Sequence, residues 1–223
     1  WFRASGKAPQ MRAGNYSIER GITPQQLLER MLRGESVMEV VRITEGWTFK
    51  QMREALAQAP SLKATTKDMT EAQIMAALGL PNVPAEGRFF PDTYHYSRGA
   101  TDMTVLRSAQ QMLQKKLEAA WAERAKDVPL KSIDEALILA SIVEKETGAE
   151  ADRVKVSSVF NNRLRIGMPL QTDPTVIYGL GAAFDGNLRK KDLQTDTPYN
   201  TYTRKGLPPT PIALPGGNSI KAA

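Results

Sequence analysis

Residues 138–148, reading ILASIVEKETG, constrain the fold more than any other stretch of the chain. Ser132 and Glu135, just after Pro129, form an S-x-x-E capping box, so a helix is predicted to start there and run to Gly148 as its C′ residue. Ala136, Leu137, Ile138, Leu139, Ala140, Ile142 and Val143 leave no solvated stripe, the pattern of a helix that passes through a core. Charge then enters abruptly as Glu144, Lys145 and Glu146. At about 100° per residue the two glutamates point roughly 200° apart and cannot serve one site. Glu146 follows Leu139, Ile142 and Val143 at helical spacing, which predicts a carboxyl group on an apolar face in the last turn. Desolvation and the negative end of the helix dipole both disfavour the ionised form there, leaving an acid able to protonate a leaving oxygen. The structural alternative is a solvated side chain at a helix end, paired to Lys145 or Arg153.

The 223 residues are enough for one large domain or two small ones. Thirty Lys and Arg against 24 Asp and Glu leave a net charge of +6, spread along the chain, which argues against a nucleic-acid stripe. Without cysteine no disulfide or thiolate metal site can form, and the single histidine, His95, disfavours a histidine metal centre or a Ser-His-Asp triad. No metal or cofactor is expected. No apolar run reaches the roughly 18 residues that span a bilayer, and no signal peptide is visible. The chain begins at Trp1 and stops at Lys221-Ala222-Ala223 inside a new helix, so it is expected to be trimmed at both ends.

Up to residue 60 the sequence reads as a small α/β module. A strand is predicted at residues 15–18, a helix capped by Thr23 with Gln26 at N3, a strand at residues 37–43, and a helix capped by Thr48 with Gln51 at N3. Residues 61–100 read as a connector with one short helix from Thr70 to Gly79, followed by an aromatic loop anchored by Phe89 and Phe90. From 101 to 223 a mixed, mainly helical domain is predicted. Long amphipathic helices precede Gly167, Asp173 caps a turn of helix with Pro174 at N1, and residues 181–215 form an extended, β-containing cleft wall. The fold class is therefore α+β.

One poised acid beside aromatic rings and amides suits a sugar polymer, because pyranose rings stack on aromatics while amides bind hydroxyls. Tyr178, Tyr199, Tyr202, Gln171, Asn162 and Asn200 are the candidates, and each also has an ordinary structural role open to it. A two-carboxylate hydrolase needs a partner acid, and Glu144 and Asp173 are the nearest. Glu144 points elsewhere and Asp173 has a capping role, so one carboxylate acting first as acid and then as base fits better.

These residues sit in a series of longer motifs: EGRFFPDTY from Glu86, LASIVEKET from Leu139, VFNNRLRIGMPLQTDPTVIYGLG from Val159, YNTY from Tyr199 and GLPPTPIALPG from Gly206. In these the chain resembles the bacterial endolytic murein transglycosylases, the YceG-like family, along its whole length. The resemblance implies a LysM-like module at residues 1–60 and a YceG-like catalytic domain at 101–223 that continues beyond this chain. It implies cleavage of nascent peptidoglycan strands with 1,6-anhydro-N-acetylmuramic ends, in the periplasm, by a protein anchored in the inner membrane through a helix outside this chain. Peptidoglycan synthases are the implied partners. The catalytic glutamate falls on Glu146, and Gln171, Asp173, Tyr178, Asn200 and Tyr202 fall in or near the cleft. The rival expectation is a non-catalytic scaffold that binds peptidoglycan.

Overall fold

The computed structural model describes residues 5–223. Three of its helices open on full capping boxes, two of them predicted, at Thr23 and Thr48, and a third at Thr70, where only a short helix is expected. Thr23, Thr48 and Thr70 each accept the N3 amide while the N3 glutamine returns to the cap, opening α1 (Pro24–Arg33), α2 (Phe49–Gln58) and α3 (Glu71–Ala77). Between the first two lies β1 (Met38–Arg42), which pairs antiparallel with β2 (Thr93–Ser97) in a two-stranded sheet. The segment read as a connector thus supplies half of the sheet.

The strand predicted at residues 15–18 is absent, since the stretch has no regular ladder. Asn15 receives one backbone bond from Val37 and sends its amide to Arg98, and Tyr16 donates to the carbonyl of Arg12. These side chains bind locally available carbonyls, so the segment stays irregular.

The remaining helices are α4 (Asp102–Ala122), α5 (Ile133–Glu146), α6 (Glu150–Arg165), α7 (Asp173–Leu180), α8 (Lys190–Gln194) and α9 (Gly217–Ala222). Every residue of α5 from Leu137 to Val143 is buried, as its unbroken apolar surface demands. Ile138, Leu139, Ile142 and Val143 pack on Phe160, Leu170 and Ile212, while Leu137 and Ala140 face Leu113, Leu117 and Ile220. Fully burying one such side chain stabilises by about 1.5–3 kcal/mol, so this helix holds α4, α6 and α9 together.

The ends of α5 differ from expectation. Ser132 caps it by accepting from the Glu135 amide, but the Glu135 carboxylate turns back to the Lys131 amide at 2.6 Å, so the box is half formed. The helix stops at Glu146 with an extended Thr147, and Gly148 takes no left-handed conformation.

A separate core joins Val41, Phe49, Met52, Ile74, Phe89, Tyr96 and Leu106, and it reaches across the chain to Leu214. That last contact belongs to the buried segment 211–216, which threads between the two halves. Leu214 donates to Trp47 at 2.7 Å and accepts from Gly46 at 2.9 Å, and the Ile212 amide donates to Ser141 Oγ at 3.0 Å. Gly87 must remain glycine where this segment passes, because its φ is +75° and a Cβ would stand 2.3 Å from Pro211. The predicted β-containing wall does not form. Pro198, Pro208, Pro209, Pro211 and Pro215 offer no amide to a ladder, and the segment is built of turns and side-chain braces instead.

Candidate functional site

At its last turn α5 presents two carboxylates in different surroundings, one covered and one open. Glu144 has a side chain only 6% exposed; it pairs with buried Arg153 at 3.4 Å and accepts from the Gly216 amide at 2.9 Å and Ser219 Oγ at 2.7 Å. It ties α5, α6 and α9 together. Glu146, two residues on, is exposed. This corrects the expected burial: the apolar face of α5 is covered as far as Val143, and α6 and α9 close over Glu144, but the Glu146 side of the final turn stays open. The desolvation argued from helical spacing is therefore not supplied by the protein itself.

The Glu146 carboxylate is nevertheless held. Thr172 Oγ1 donates to its Oε2 at 2.7 Å, and no ion pair is formed among the described residues. Thr172 stands where the chain leaves Leu170 and enters α7. Gln171, just before it, is left-handed at φ +50° and donates its amide to the carbonyl of Thr201 at 3.0 Å. The left-handed region is unfavourable for a side chain larger than glycine's, so tertiary contacts must hold it. Arg163 contributes by binding the carbonyl of Leu170.

Asp173 is the first residue of α7 rather than its cap. Its carboxylate accepts from the Tyr202 hydroxyl at 2.5 Å. Burial, and after it the bond to Asp173, pushes that hydroxyl up to about 12, with the charge of Glu146 adding to the effect. Tyr202 is thus a neutral donor at working pH. The structure brings Glu146, Gln171, Asp173 and Tyr202 to one corner, around the entry to α7.

The other four candidates do not join that corner. Asn200 is fully buried; its amide donates to the carbonyls of Leu193 and Thr195 and its oxygen accepts from the Tyr202 and Thr203 amides, so it braces the loop from within. Asn162 is on α6, accepts from Arg165, and lines a cavity of about 610 Å³ with Trp121, Asn161 and Ala223; Glu146 is not part of that cavity. Tyr178, near the far end of α7, packs edge-on against Tyr199 at 4.9 Å and donates to Glu86 Oε2 at 3.3 Å.

Glu86 is a residue whose role the sequence pattern does not announce. It is buried, accepts the Phe49 amide at the start of α2 at 3.0 Å and the Gly87 amide at 3.3 Å, and desolvation pushes its carboxyl up to about 7 despite those bonds. The only hint in sequence is a glutamate directly ahead of a glycine and two buried phenylalanines. Through Tyr178 it connects α2 to the helix whose opposite end meets Glu146.

The YceG-like family model matches residues 1–223. A protein of Bacillus subtilis (strain 168) named endolytic murein transglycosylase is 32% identical over 234 residues, covering 97% of this chain and 64% of its own length. One of the same name from Streptococcus pneumoniae serotype 2 (strain D39) is 26% identical over 246 residues, covering 96% and 44%. The chain therefore spans less than two thirds of the length of either relative. A crystal structure of a yceG-like protein from Listeria monocytogenes superposes over all of this chain and 78% of that one, with a TM-score of 0.70 and 32% identity.

Proposed function

The chain belongs to the YceG-like family, and from that premise we propose that the protein is an endolytic murein transglycosylase acting on peptidoglycan glycan strands. The bond cut is the β-1,4 link between N-acetylmuramic acid and N-acetylglucosamine, and the new end is a 1,6-anhydro-N-acetylmuramic residue. The observation that carries this reading is the state of Glu146, which is accessible, unpaired by any cation among the described residues, and held through one oxygen only. An acid open to the surface suits attack in the interior of a strand, which a closed pocket would exclude. A glycan lying over the end of α5 supplies the missing desolvation, so the acid leaves water only when substrate is present.

In its protonated form Glu146 gives its proton to the glycosidic oxygen as the C1–O4 bond breaks. The resulting carboxylate takes the proton from the C6 hydroxyl of the same muramoyl ring, whose oxygen bonds to C1. Acid and base are one residue and the nucleophile is already attached to the electrophile, so the step gains a high effective molarity and consumes no water. Gln171 and Tyr202, beside Glu146, hold the sugar and its acyl group. The LysM-like reading of the first sixty residues, anchoring in the inner membrane with the catalytic part in the periplasm, cooperation with synthases and termination of strand growth complete the proposal.

Strand length after incubation of the protein with purified, uncross-linked glycan strands tests it. Endolytic cleavage shortens the whole population early in the reaction. Strands that co-sediment with the protein yet keep their length would assign it to binding and scaffolding.

A further inference from the structure

Among the described residues five helices have a threonine at the N-cap, and three of these threonines make the cap bond. Thr23, Thr48 and Thr70 at their N-caps accept the N3 amide at 3.2–3.3 Å. Thr172 occupies the N-cap of α7, yet its side chain makes no cap bond and its hydroxyl goes to Glu146 instead. Forgoing a threonine cap costs about 1 kcal/mol. Thr101, the other uncapped threonine, spends its hydroxyl one turn on, 3.0 Å from Thr104 Oγ1, whereas that of Thr172 goes to a carboxylate 26 residues away, and a long-range bond made in place of the local one points to a demand beyond the helix.

The rest of Thr172 is fixed. It is 2% exposed; its amide donates to Thr201 Oγ1 at 3.1 Å and its carbonyl accepts from Thr175 Oγ1 at 2.8 Å. Thr175 and Thr201 are themselves buried and share a hydrogen bond of 2.8 Å. Three buried threonines thus lock the backbone, and one hydroxyl reaches out to an exposed carboxylate.

We propose that Thr172 is the positioning residue of the reacting acid, occupying Oε2 of Glu146 so that both proton transfers pass through Oε1. The inference rests on the reading of Glu146 given above. A hydroxyl donor serves Oε2 equally when that oxygen belongs to a carboxylate and when it is the carbonyl oxygen of a carboxylic acid whose proton sits on Oε1. The side chain therefore need not turn over between giving its proton to O4 and taking the next from O6. Without the donor the carboxyl group rotates freely at an exposed helix end and spends little time aimed at the bond.

The test compares Thr172→Val with Thr172→Ser on soluble glycan strands. Valine keeps the buried shape and removes the donor; kcat is expected to fall about 10- to 100-fold, as for a misplaced catalytic group, with KM nearly unchanged. Serine restores the donor and most of kcat. Should valine not be accommodated, Thr172→Ala against Thr172→Ser makes the same comparison, since both lose the methyl group and only serine keeps the hydroxyl. Full kcat in the valine variant, or equal kcat in the serine and alanine variants, overturns the proposal. Failure of the underlying reading looks different, because a Glu146→Gln protein would then still cut strands. An inactive Glu146→Gln protein beside a fully active Thr172→Val protein rejects this inference alone.

Discussion

Glu146→Gln is expected to lose strand cleavage by about 10³-fold or more while folding as the parent does. General acid–base catalysis contributes about 10²- to 10⁴-fold, and here one carboxyl group performs both transfers, so nothing remains to take over. Glutamine keeps the size of the side chain and an oxygen to accept from Thr172 Oγ1. Glu146 is exposed and in no ion pair among the described residues, so the melting temperature should stay within about a degree, the range of surface substitutions. Affinity for strands should also survive. Kinetics on defined strands with parallel thermal melts checks this, and near-parental cleavage would remove Glu146 from the chemistry. Glu144 has the opposite character. It neutralises buried Arg153 and binds the N-terminus of α9, so its loss would register as instability.

Glu86→Gln is expected to change how stability depends on pH. The carboxyl group has an ordinary value of 4.5 and in the folded chain stands at about 7, raised by desolvation ahead of the opposing bonds from Phe49, Gly87 and Tyr178. Between those values the folded state holds a proton that the unfolded state has lost. The stability of the parent is thus complete below about pH 4.5 and drains away as pH rises through 7. A tenfold difference in proton affinity between the folded and unfolded chains is worth about 1.4 kcal/mol, so the loss is on the order of 3 kcal/mol. Besides those bonds, which offset only part of the desolvation, Glu71 on α3 bears on Glu86, and its like charge adds to the rise. Glutamine cannot ionise, can accept from the Phe49 amide, and can donate to Tyr178. Its melting temperature should match the parent at pH 4.5 and exceed it by several degrees at pH 8. An offset between the two proteins that is the same at every pH would mean that Glu86 is not the titrating group.

Sequence signals are legible where the physics is local. The apolar run of α5 forces burial whatever surrounds it, and the threonine–glutamine boxes at Thr23, Thr48 and Thr70 close within one turn. Expectation and structure part wherever a distant partner decides. Thr172 prefers Glu146, 26 residues away, to its own helix. Helical spacing gives the direction of Glu146 on α5 but not whether anything covers the last turn, so its exposure could not be read from periodicity. Asn200 looks like a ligand-binding amide because its five partners lie in the short helix α8 and the loop after it, where no pattern announces them. Glu86 escapes because its partners, Phe49 and Tyr178, lie 37 and 92 residues away. The corner formed by Glu146, Gln171, Asp173 and Tyr202 is legible as a set of residues, while Thr172, the group that touches the acid, is singled out by no sequence pattern.

Digestion of glycan strands in water enriched in ¹⁸O separates one carboxyl group working alone from a pair that activates water. If Glu146 acts as acid and then base on the muramoyl C6 hydroxyl, every new reducing-side end carries the mass of an anhydro sugar and no ¹⁸O. Incorporation of one ¹⁸O per cut would mean hydrolysis with a second acid, and would contradict the mechanism proposed for Glu146.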